Sequence, residues 1–292
     1  MLYRTIGKTG LKISAVGIET HQWSGMGGRF FTTGEIKAIF KRAIKLGINF
    51  VDTGECYFFH SSERLIGEAL GRNRKKFVIA TKFGHKSEPG NIRASWTVAE
   101  VEKQLADSLS ALKTSYIDVY QAHINSLQDK RFFLKNLEDI AIFIKKKKAE
   151  GKIKCFGICL GDDCVFDSGG KLILEAARKI KVDTVQVLYN RLDRTAEKGI
   201  FPAAKKVNAG IITRVPLAKG YLSSRFKPTN KNYDAFKVKE VDKIKKRELP
   251  KDADLAEWAI GWCLKDKIVS SVVPGCSSPE QLDSTVRALS FL

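Results

Sequence analysis

Four proton-exchanging side chains stand at or just beyond the ends of apolar stretches in the first half of the chain. Asp52 ends "INFVD", Lys82 ends "FVIATK", His123 ends "IDVYQAH", and Tyr57 follows Asp52 by five residues. If these stretches are parallel strands of one barrel, their side chains converge on the same rim. The four residue types suit delivery of a proton to a carbonyl oxygen.

Each member of this set would have a definite part in that chemistry. A free tyrosine has a pKa of about 10, which makes it a poor acid at neutral pH. We expect the ammonium group of Lys82 to lower the pKa of Tyr57, and Asp52 to keep Lys82 charged and fixed. Neutral His123 would orient the substrate oxygen or relay the proton. Because none of these groups supplies electrons, a bound hydride donor is required.

Taken singly, each residue also has a purely structural explanation. Asp52 would cap a loop, Tyr57 would be an interface aromatic, and Lys82 with Asp52 would form a structural ion pair. One such residue at a strand end could easily occur by chance. Four of them at the ends of adjacent strands are much harder to explain in that way.

Eight short apolar runs alternate with amphipathic helical stretches and must position these residues. The runs cover residues 14–18, 48–52, 77–82, 117–123, 153–159, 183–189, 210–215 and 269–275. Eight such units predict an α/β fold, a (β/α)8 TIM barrel in one domain, residues 1–292, with an N-terminal β-hairpin at 3–14. A doubly wound sheet is the alternative, but "GMGGRF" (25–30) lacks the third glycine of its fingerprint. The polar segment 227–252 is expected to be a loop insertion.

Composition and charge argue against a membrane protein, a secreted protein and a nucleic-acid-binding protein. With 43% hydrophobic and 28% charged residues among 292, a soluble protein is expected, and no apolar run is long enough for a membrane span. No secretory signal is recognised at the start, so a cytoplasmic location is expected. The net charge of +19 would attract anions, including nucleic acid or a phosphorylated cofactor. The basic runs lack interleaved aromatics, which favours solvated helix faces over a nucleic-acid site.

The cysteines favour reduced thiols over a metal cluster. Cys155, Cys159 and Cys164 lie in or near one predicted strand, but a matching second pair of ligands is missing. No metal site is therefore expected. The sequence leaves the oligomeric state open.

These segments resemble the aldo-keto reductase family, from the hairpin to about residue 288. "GINFVDTGECYFFHSSERLIGEAL" is similar to the family signature, and "VIATK" and "YIDVYQAH" match the segments that bear its lysine and histidine. The resemblance implies a barrel that binds NADPH or NADH without a Rossmann domain, with Tyr57 as proton donor assisted by Asp52, Lys82 and His123. It also implies cofactor contacts from Thr20, His21, Gln186, Arg214, Pro216, Leu217, Gly220, Leu222, Gly275, Ser277, Gln281 and Thr285.

Several positions depart from the family pattern. Glu19 stands where the family usually has glycine, and the nicotinamide-binding Ser-Asn pair is replaced by Cys159 and Leu160. Ser277 replaces an arginine that many NADPH-binding members carry, which removes a bidentate partner for the 2′-phosphate. Lys219 and the overall positive charge compensate, so NADPH is the expected cofactor and NADH the alternative.

The expected function is an NAD(P)H-dependent reduction of an aldehyde, ketone or sugar carbonyl to an alcohol, or the reverse. Its partner would be a small-molecule substrate, with no nucleic acid and no membrane. A catalytically weak NAD(P)H-binding regulatory or scaffold protein on the same barrel is the alternative, motivated by Glu19. Four aromatic residues of the predicted loops are expected to line the pocket: Trp23, Phe58, Phe59 and Trp96. For Phe58 and Phe59, packing against the barrel shell is the alternative.

Overall fold

Eight parallel strands form one sheet in the order in which they occur along the chain. The computed structural model describes residues 1–25, 28–88, 91–161, 170–224, 226 and 233–292. The barrel strands are β3 (Ile18–Glu19), β4 (Phe50–Asp52), β5 (Val78–Phe83), β8 (Ile117–Ile124), β9 (Ile153–Leu160), β10 (Thr184–Leu188), β11 (Gly210–Arg214) and β12 (Val269–Val273). Isolated parallel bridges between residues 16 and 272 and between residues 19 and 275 bring the two outer strands together. The predicted barrel is confirmed.

The N-terminal hairpin lies against the start of the barrel strands. Its strands are β1 (Tyr3–Thr5) and β2 (Lys12–Ser14), paired antiparallel. Ile6 and Ile13 are fully buried in an apolar cluster with Phe50 and Val78, near the beginnings of β4 and β5. The predicted hairpin is therefore present, and it covers the N-terminal end of the barrel with apolar side chains.

A second hairpin follows β5 on the opposite rim. It consists of β6 (His85–Glu88) and β7 (Asn91–Ala94), paired antiparallel. Ile92 of this hairpin lines the large cavity described below. This hairpin is not apparent from the sequence, because residues 85–94 alternate only weakly between polar and apolar side chains.

Ten described α-helices connect the strands. They are α1 (Thr33–Leu46), α2 (Ser61–Leu70), α3 (Val98–Ala111), α4 (Leu127–Lys135), α5 (Leu137–Ala149), α6 (Lys171–Ala177), α7 (Ile200–Val207), α8 (Ala235–Arg247), α9 (Leu255–Cys263) and α10 (Pro279–Arg287). Thr32 and Thr97 each form a capping box with a glutamate three residues later, which fixes the starts of α1 and α3. Among the described residues, no helix is long and apolar enough to cross a membrane.

The structure corrects the expectation for part of segment 227–252. Residues 227–232 lie outside the described residues. Ala235–Arg247 is helix α8, which begins after Asp234, whose carboxylate accepts hydrogen bonds from the backbone of residues 236 and 237. Only Val241 and Ile244 of this helix are buried, so its apolar stripe is too sparse to predict a helix from the sequence.

Candidate active site

A cavity of about 810 Å³ opens at the C-terminal ends of the barrel strands. Asp52, Tyr57, Lys82 and His123 all line it. The structure thus brings together the four residues that the sequence singled out, each from the end of a strand or from the loop after one.

Lys82 is the centre of this arrangement. Its Nζ donates to Asp52 Oδ2 at 2.8 Å, to the backbone oxygen of Thr53 at 2.6 Å and to Tyr57 Oη at 3.2 Å. Asp52 and Lys82 are each 1% exposed. Burial alone would lower the pKa of Lys82, but the charge and hydrogen bond of Asp52 outweigh it, so the pKa is raised. Lys82 therefore stays charged in a fixed position.

A tight turn returns Tyr57 to the end of strand β4. The Tyr57 amide donates to the Gly54 carbonyl at 3.2 Å, and a Cβ on Gly54 would lie only 3.1 Å from the tyrosine ring. Phe58, Phe59 and His60 then adopt φ values of 50°, 53° and 61°, which are unusual for residues other than glycine. The chain holds this conformation just after the tyrosine, and α2 begins directly beyond it.

The pKa of Tyr57 differs from the expectation. Burial raises it well above its ordinary value, and the negative charges of Glu19 and Asp52 raise it further. The pKa of Tyr57 is thus raised overall and not lowered as expected, because burial and the two carboxylates dominate.

Glu19 adds a carboxyl group that the sequence analysis noted only as a departure from a family. It ends strand β3 beside Asp52 of β4, and its Oε1 accepts a hydrogen bond from the His21 amide at 2.7 Å. Burial, followed by the charge of Asp52, raises the pKa of Glu19 to about 7. Its side chain lines the cavity, and its negative charge acts on Tyr57.

His123 is neutral at physiological pH. Burial lowers its pKa well below the ordinary value, and the neighbouring His85 and Lys82 lower it further. The ring lies edge-on to that of His85, with 5.0 Å between centroids. A neutral imidazole can orient a substrate oxygen without adding charge, as expected from the sequence.

Most of the predicted cofactor residues line two adjoining cavities. The main cavity is lined by His21, Gln186, Arg214, Pro216, Leu217, Gly220, Gly275 and Gln281. A second cavity of about 570 Å³ shares Leu217, Gly275 and Gln281 with the first and adds Ser277 and Thr285. Together they form an extended groove along the ends of β11 and β12.

Thr20 and Leu222 do not reach either cavity. Thr20 is fully buried and donates through Oγ1 to the backbone oxygen of Asp52 at 3.0 Å. Leu222 is fully buried in an apolar cluster with Val241 of α8 and Trp258 of α9. Both side chains support the walls of the site and do not form its surface.

The expectation of aromatic pocket walls is wrong. Trp23 and Trp96 are 1% and 3% exposed and belong to the core, while Phe58 and Phe59 are 46% and 38% exposed. Among the described residues that line the main cavity there is no tryptophan or phenylalanine. The polar residues Glu19, His21 and Asn125 line the cavity instead.

The two cysteines on β9 have different surroundings. Cys155 is buried near the barrel floor, and Cys159 donates through Sγ to Gln186 Oε1 at 2.9 Å. Cys164 lies outside the described residues. Cys56, which stands between Asp52 and Tyr57 in the chain, lines the main cavity.

Charges in the second cavity are balanced largely within the protein. Arg29 lies 2.8 Å from Glu35, and Arg287 lies 2.6 Å from Glu257. The carboxylates of Asp254 and Glu280 also line this cavity. Among the residues that the structure describes, its two arginines are thus already ion-paired.

Comparison with known proteins decides the family. The family model described as "Aldo/keto reductase family" matches residues 17–292. The chain belongs to the aldo/keto reductase family. Members are oxidoreductases that use NAD(P)H, and the family implies a small-molecule carbonyl substrate.

Relatives and a solved structure agree with this assignment. This aldo/keto reductase is 28% identical to L-galactose dehydrogenase of Arabidopsis thaliana, covering 99% of the chain and 88% of the relative. It is 26% identical to the NADH-specific methylglyoxal reductase of Escherichia coli K12, covering 98% and 93%. Its structure is similar to the holo form of aldo-keto reductase AKR11C1 from Bacillus halodurans, with a TM-score of 0.84, 27% identity and coverage of 99% and 91%.

Proposed function

We propose that this aldo/keto reductase reduces the carbonyl of an aldehyde, ketone or sugar to an alcohol, or catalyses the reverse oxidation, with Tyr57 as proton donor. The observation that carries the proposal is the contact of 3.2 Å between Lys82 Nζ and Tyr57 Oη, with Asp52 holding the lysine. A phenol hydrogen-bonded to a fixed ammonium group can release its proton as negative charge develops on the carbonyl oxygen.

Each residue has one role in this reaction. Tyr57 donates its proton to the carbonyl oxygen, and Lys82 stabilises the phenolate that remains. Asp52 fixes Lys82, and neutral His123 orients the substrate oxygen beside the phenol. A bound nicotinamide dinucleotide supplies the hydride. In the reverse direction the Tyr57 phenolate accepts the proton of the alcohol.

The cavity fits the amide of a nicotinamide group. Gln186 Nε2 is buried and has no hydrogen-bond partner in the described part of the chain, although its Oε1 accepts from Cys159. A buried donor without an acceptor is costly, and a carboxamide oxygen is an acceptor of the required kind. Gln186 would bind that amide, and Arg214 offers a planar guanidinium group in the same cavity.

We propose that NADH binds at least as tightly as NADPH, which differs from the expectation from the sequence. Arg29 and Arg287 in the second cavity are ion-paired, and Ser277 stands in this cavity without a charge. A 2′-phosphate would meet the carboxylates of Asp254 and Glu280, whereas a ribose hydroxyl could donate to one of them. The NADH-specific relative is consistent with this preference.

The substrate is proposed to be a small, polar carbonyl compound such as a sugar or a short hydroxyaldehyde. Glu19, His21 and Asn125 offer hydrogen bonds along the cavity wall, and Arg214 adds a charged donor. Such groups would lose their partners with an aryl or long alkyl substrate.

The test measures coenzyme oxidation by the purified protein with NADH and NADPH. The panel should contain short aldehydes, ketones and sugars, with aryl aldehydes for comparison. We expect turnover with polar substrates, and loss of turnover in Tyr57→Phe with retained coenzyme binding. Absence of turnover with every substrate and both coenzymes, in either direction, would contradict the proposal.

A second candidate is a nucleotide-binding regulatory protein with weak turnover. The negative charge of Glu19 next to the phenol favours it, because that charge opposes formation of the phenolate. Tight coenzyme binding without turnover in wild-type protein, with turnover appearing in Glu19→Gly, would support this second function.

A further inference from the structure

Three potential metal ligands from separate parts of the chain meet beside the active site. Cys56 Sγ and a ring nitrogen of each of His85 and His123 lie within 4.8 Å of one another, and all three residues are buried. Cys56 Sγ is 3.7 Å from His123 Nδ1. Cysteine thiolates and histidine nitrogens are both ligands of zinc in proteins. His85 follows Cys56 by 29 residues and His123 follows His85 by 38, so the three do not form a recognisable motif in the sequence.

One ring nitrogen of His85 has no hydrogen-bond partner among the described residues. Its Nε2 lies 3.2 Å from Asp129 Oδ2, which makes Nε2 the natural position of the proton. Its Nδ1 then carries the lone pair, and Nδ1 is buried without a hydrogen-bond partner among the described residues. Native proteins rarely leave such an atom unpaired, and a metal ion would satisfy it.

Asp129 forms the outer support that histidine ligands of metals usually have. Its carboxylate accepts from Trp96 Nε1 at 3.2 Å, from Ser126 Oγ at 2.9 Å and from the Asn125 amide at 3.2 Å. A carboxylate held in this way fixes the tautomer and orientation of His85. The backbone amide of His85 also donates to Glu55 Oε1 at 3.0 Å, which anchors the start of β6.

The distances suit a single tetrahedral ion after a small adjustment. Zinc lies about 2.3 Å from sulfur and about 2.0–2.1 Å from nitrogen, so two of its ligands are on the order of 3.5 Å apart. The contact of 3.7 Å between Cys56 and His123 already meets this spacing. Closing the widest pair, at most 4.8 Å apart, requires movement of roughly 1 Å. Cys56 and His123 line the cavity, so a fourth position would face it.

We propose that Cys56, His85 and His123 form a binding site for Zn²⁺, with the fourth ligand position open to the cavity. Binding exchanges the thiol proton of Cys56 for the ion and releases that proton to solvent. The two imidazoles bind as neutral ligands. Because His123 would then hold the ion, it could no longer orient a substrate oxygen, so the ion and the proposed carbonyl reduction would exclude one another.

The test uses full-length protein freed of metal with a chelator and titrated with Co²⁺, which reports its ligands by absorption. We expect one Co²⁺ per chain, a thiolate-to-cobalt charge-transfer band and d–d bands of tetrahedral intensity, all removed by Zn²⁺. This readout does not require the protein to be an active reductase. No charge-transfer band with wild-type protein would overturn the proposal.

Variants assign the ligands. Cys56→Ala should remove the charge-transfer band, His85→Gln should weaken Co²⁺ binding strongly, and Asp129→Asn should weaken it by about 10–100-fold. Cys155→Ala is the matched control, because Cys155 is also buried but lies near the barrel floor. Circular dichroism checks that each variant is folded. An unchanged band in folded Cys56→Ala, or unchanged affinity in folded His85→Gln, would contradict the site.

Discussion

The hydroxyl oxygen of Tyr57 lies 3.2 Å from the ammonium nitrogen of Lys82. The same ammonium group is neutralised by Asp52 at 2.8 Å, so the lysine positions the phenol without making its surroundings positive. The pKa of Tyr57 is accordingly raised by burial and by nearby carboxylates. The phenol therefore stays protonated until charge develops on a substrate oxygen.

Tyr57→Phe should abolish carbonyl reduction while leaving coenzyme binding intact. Losing a positioned proton donor lowers kcat by about 10²–10⁴-fold. Steady-state kinetics give kcat, and a titration of NADH fluorescence gives the binding constant. Phe59→Leu is the control, because Phe59 is 38% exposed and does not line the cavity. Equal activities of Tyr57→Phe and wild type would exclude Tyr57 as the donor.

Asp52→Asn should destabilise the fold because it leaves the charge of Lys82 buried without a counterion. Removing one partner of a buried ion pair costs about 3–5 kcal/mol. Urea unfolding followed by circular dichroism measures the change. The double variant Asp52→Asn/Lys82→Met should regain part of the loss. If the single variant unfolds at the wild-type urea concentration, the buried lysine does not depend on this carboxylate.

Glu19 should give the reduction rate a pH dependence near neutrality. Burial and Asp52 raise its pKa to about 7, so the side chain becomes charged as the pH rises through that value. A carboxylate beside Tyr57 disfavours the phenolate, and kcat for reduction should fall above pH of about 7. Glu19→Gln should flatten this limb of the profile. A wild-type limb that persists unchanged in Glu19→Gln would assign it to another group.

The same raised pKa predicts how stability depends on pH. The folded protein holds the Glu19 proton more tightly than the unfolded chain does, for which the ordinary value is 4.5. The stabilisation is complete below about pH 4.5 and is lost as the pH rises through about 7. The free energy of unfolding of wild type, relative to Glu19→Gln, should therefore decline across this range. Urea unfolding of both proteins at several pH values tests the sign.

Ser277→Arg should shift coenzyme preference towards NADPH. An arginine here would give a 2′-phosphate a charge-assisted partner in the second cavity, which is worth about 1.5–3 kcal/mol, or roughly 10–100-fold in affinity. Fluorescence titrations with both coenzymes give the ratio. Ser277→Gln adds length without charge and serves as the control. Equal ratios in the two variants would indicate that the phosphate does not approach residue 277.

The fold could be predicted because the same sequence pattern, an apolar run followed by a helical stretch, repeats along the chain. Eight apolar runs with helical stretches between them admit few arrangements, and Asp52, Lys82 and His123 at strand ends indicated the functional rim. Helix α8 was missed because two buried residues in a lysine-rich segment do not create a clear period.

The electrostatics of the site could not be predicted in the same way. The raised pKa values of Glu19 and Tyr57 depend on which charges are buried together, and the spacing of residues in the chain does not encode this. Thr20 and Leu222 belong to segments that do border the groove, but their side chains turn into the protein. His85 lies close to Cys56 because it belongs to the hairpin of β6 and β7, which the sequence pattern does not indicate.

The N-terminal hairpin covers the end of the barrel that lies opposite the cavity. Ile6 and Ile13 close its base, so the charged pair of Lys82 and Asp52 has apolar packing beneath it and the cavity above. Lys82 and Tyr57 both line this cavity, which offers them a path for exchanging protons with solvent. A substrate bound in the cavity would block this path. The proton that Tyr57 donates in each turnover would then be replaced after the product leaves.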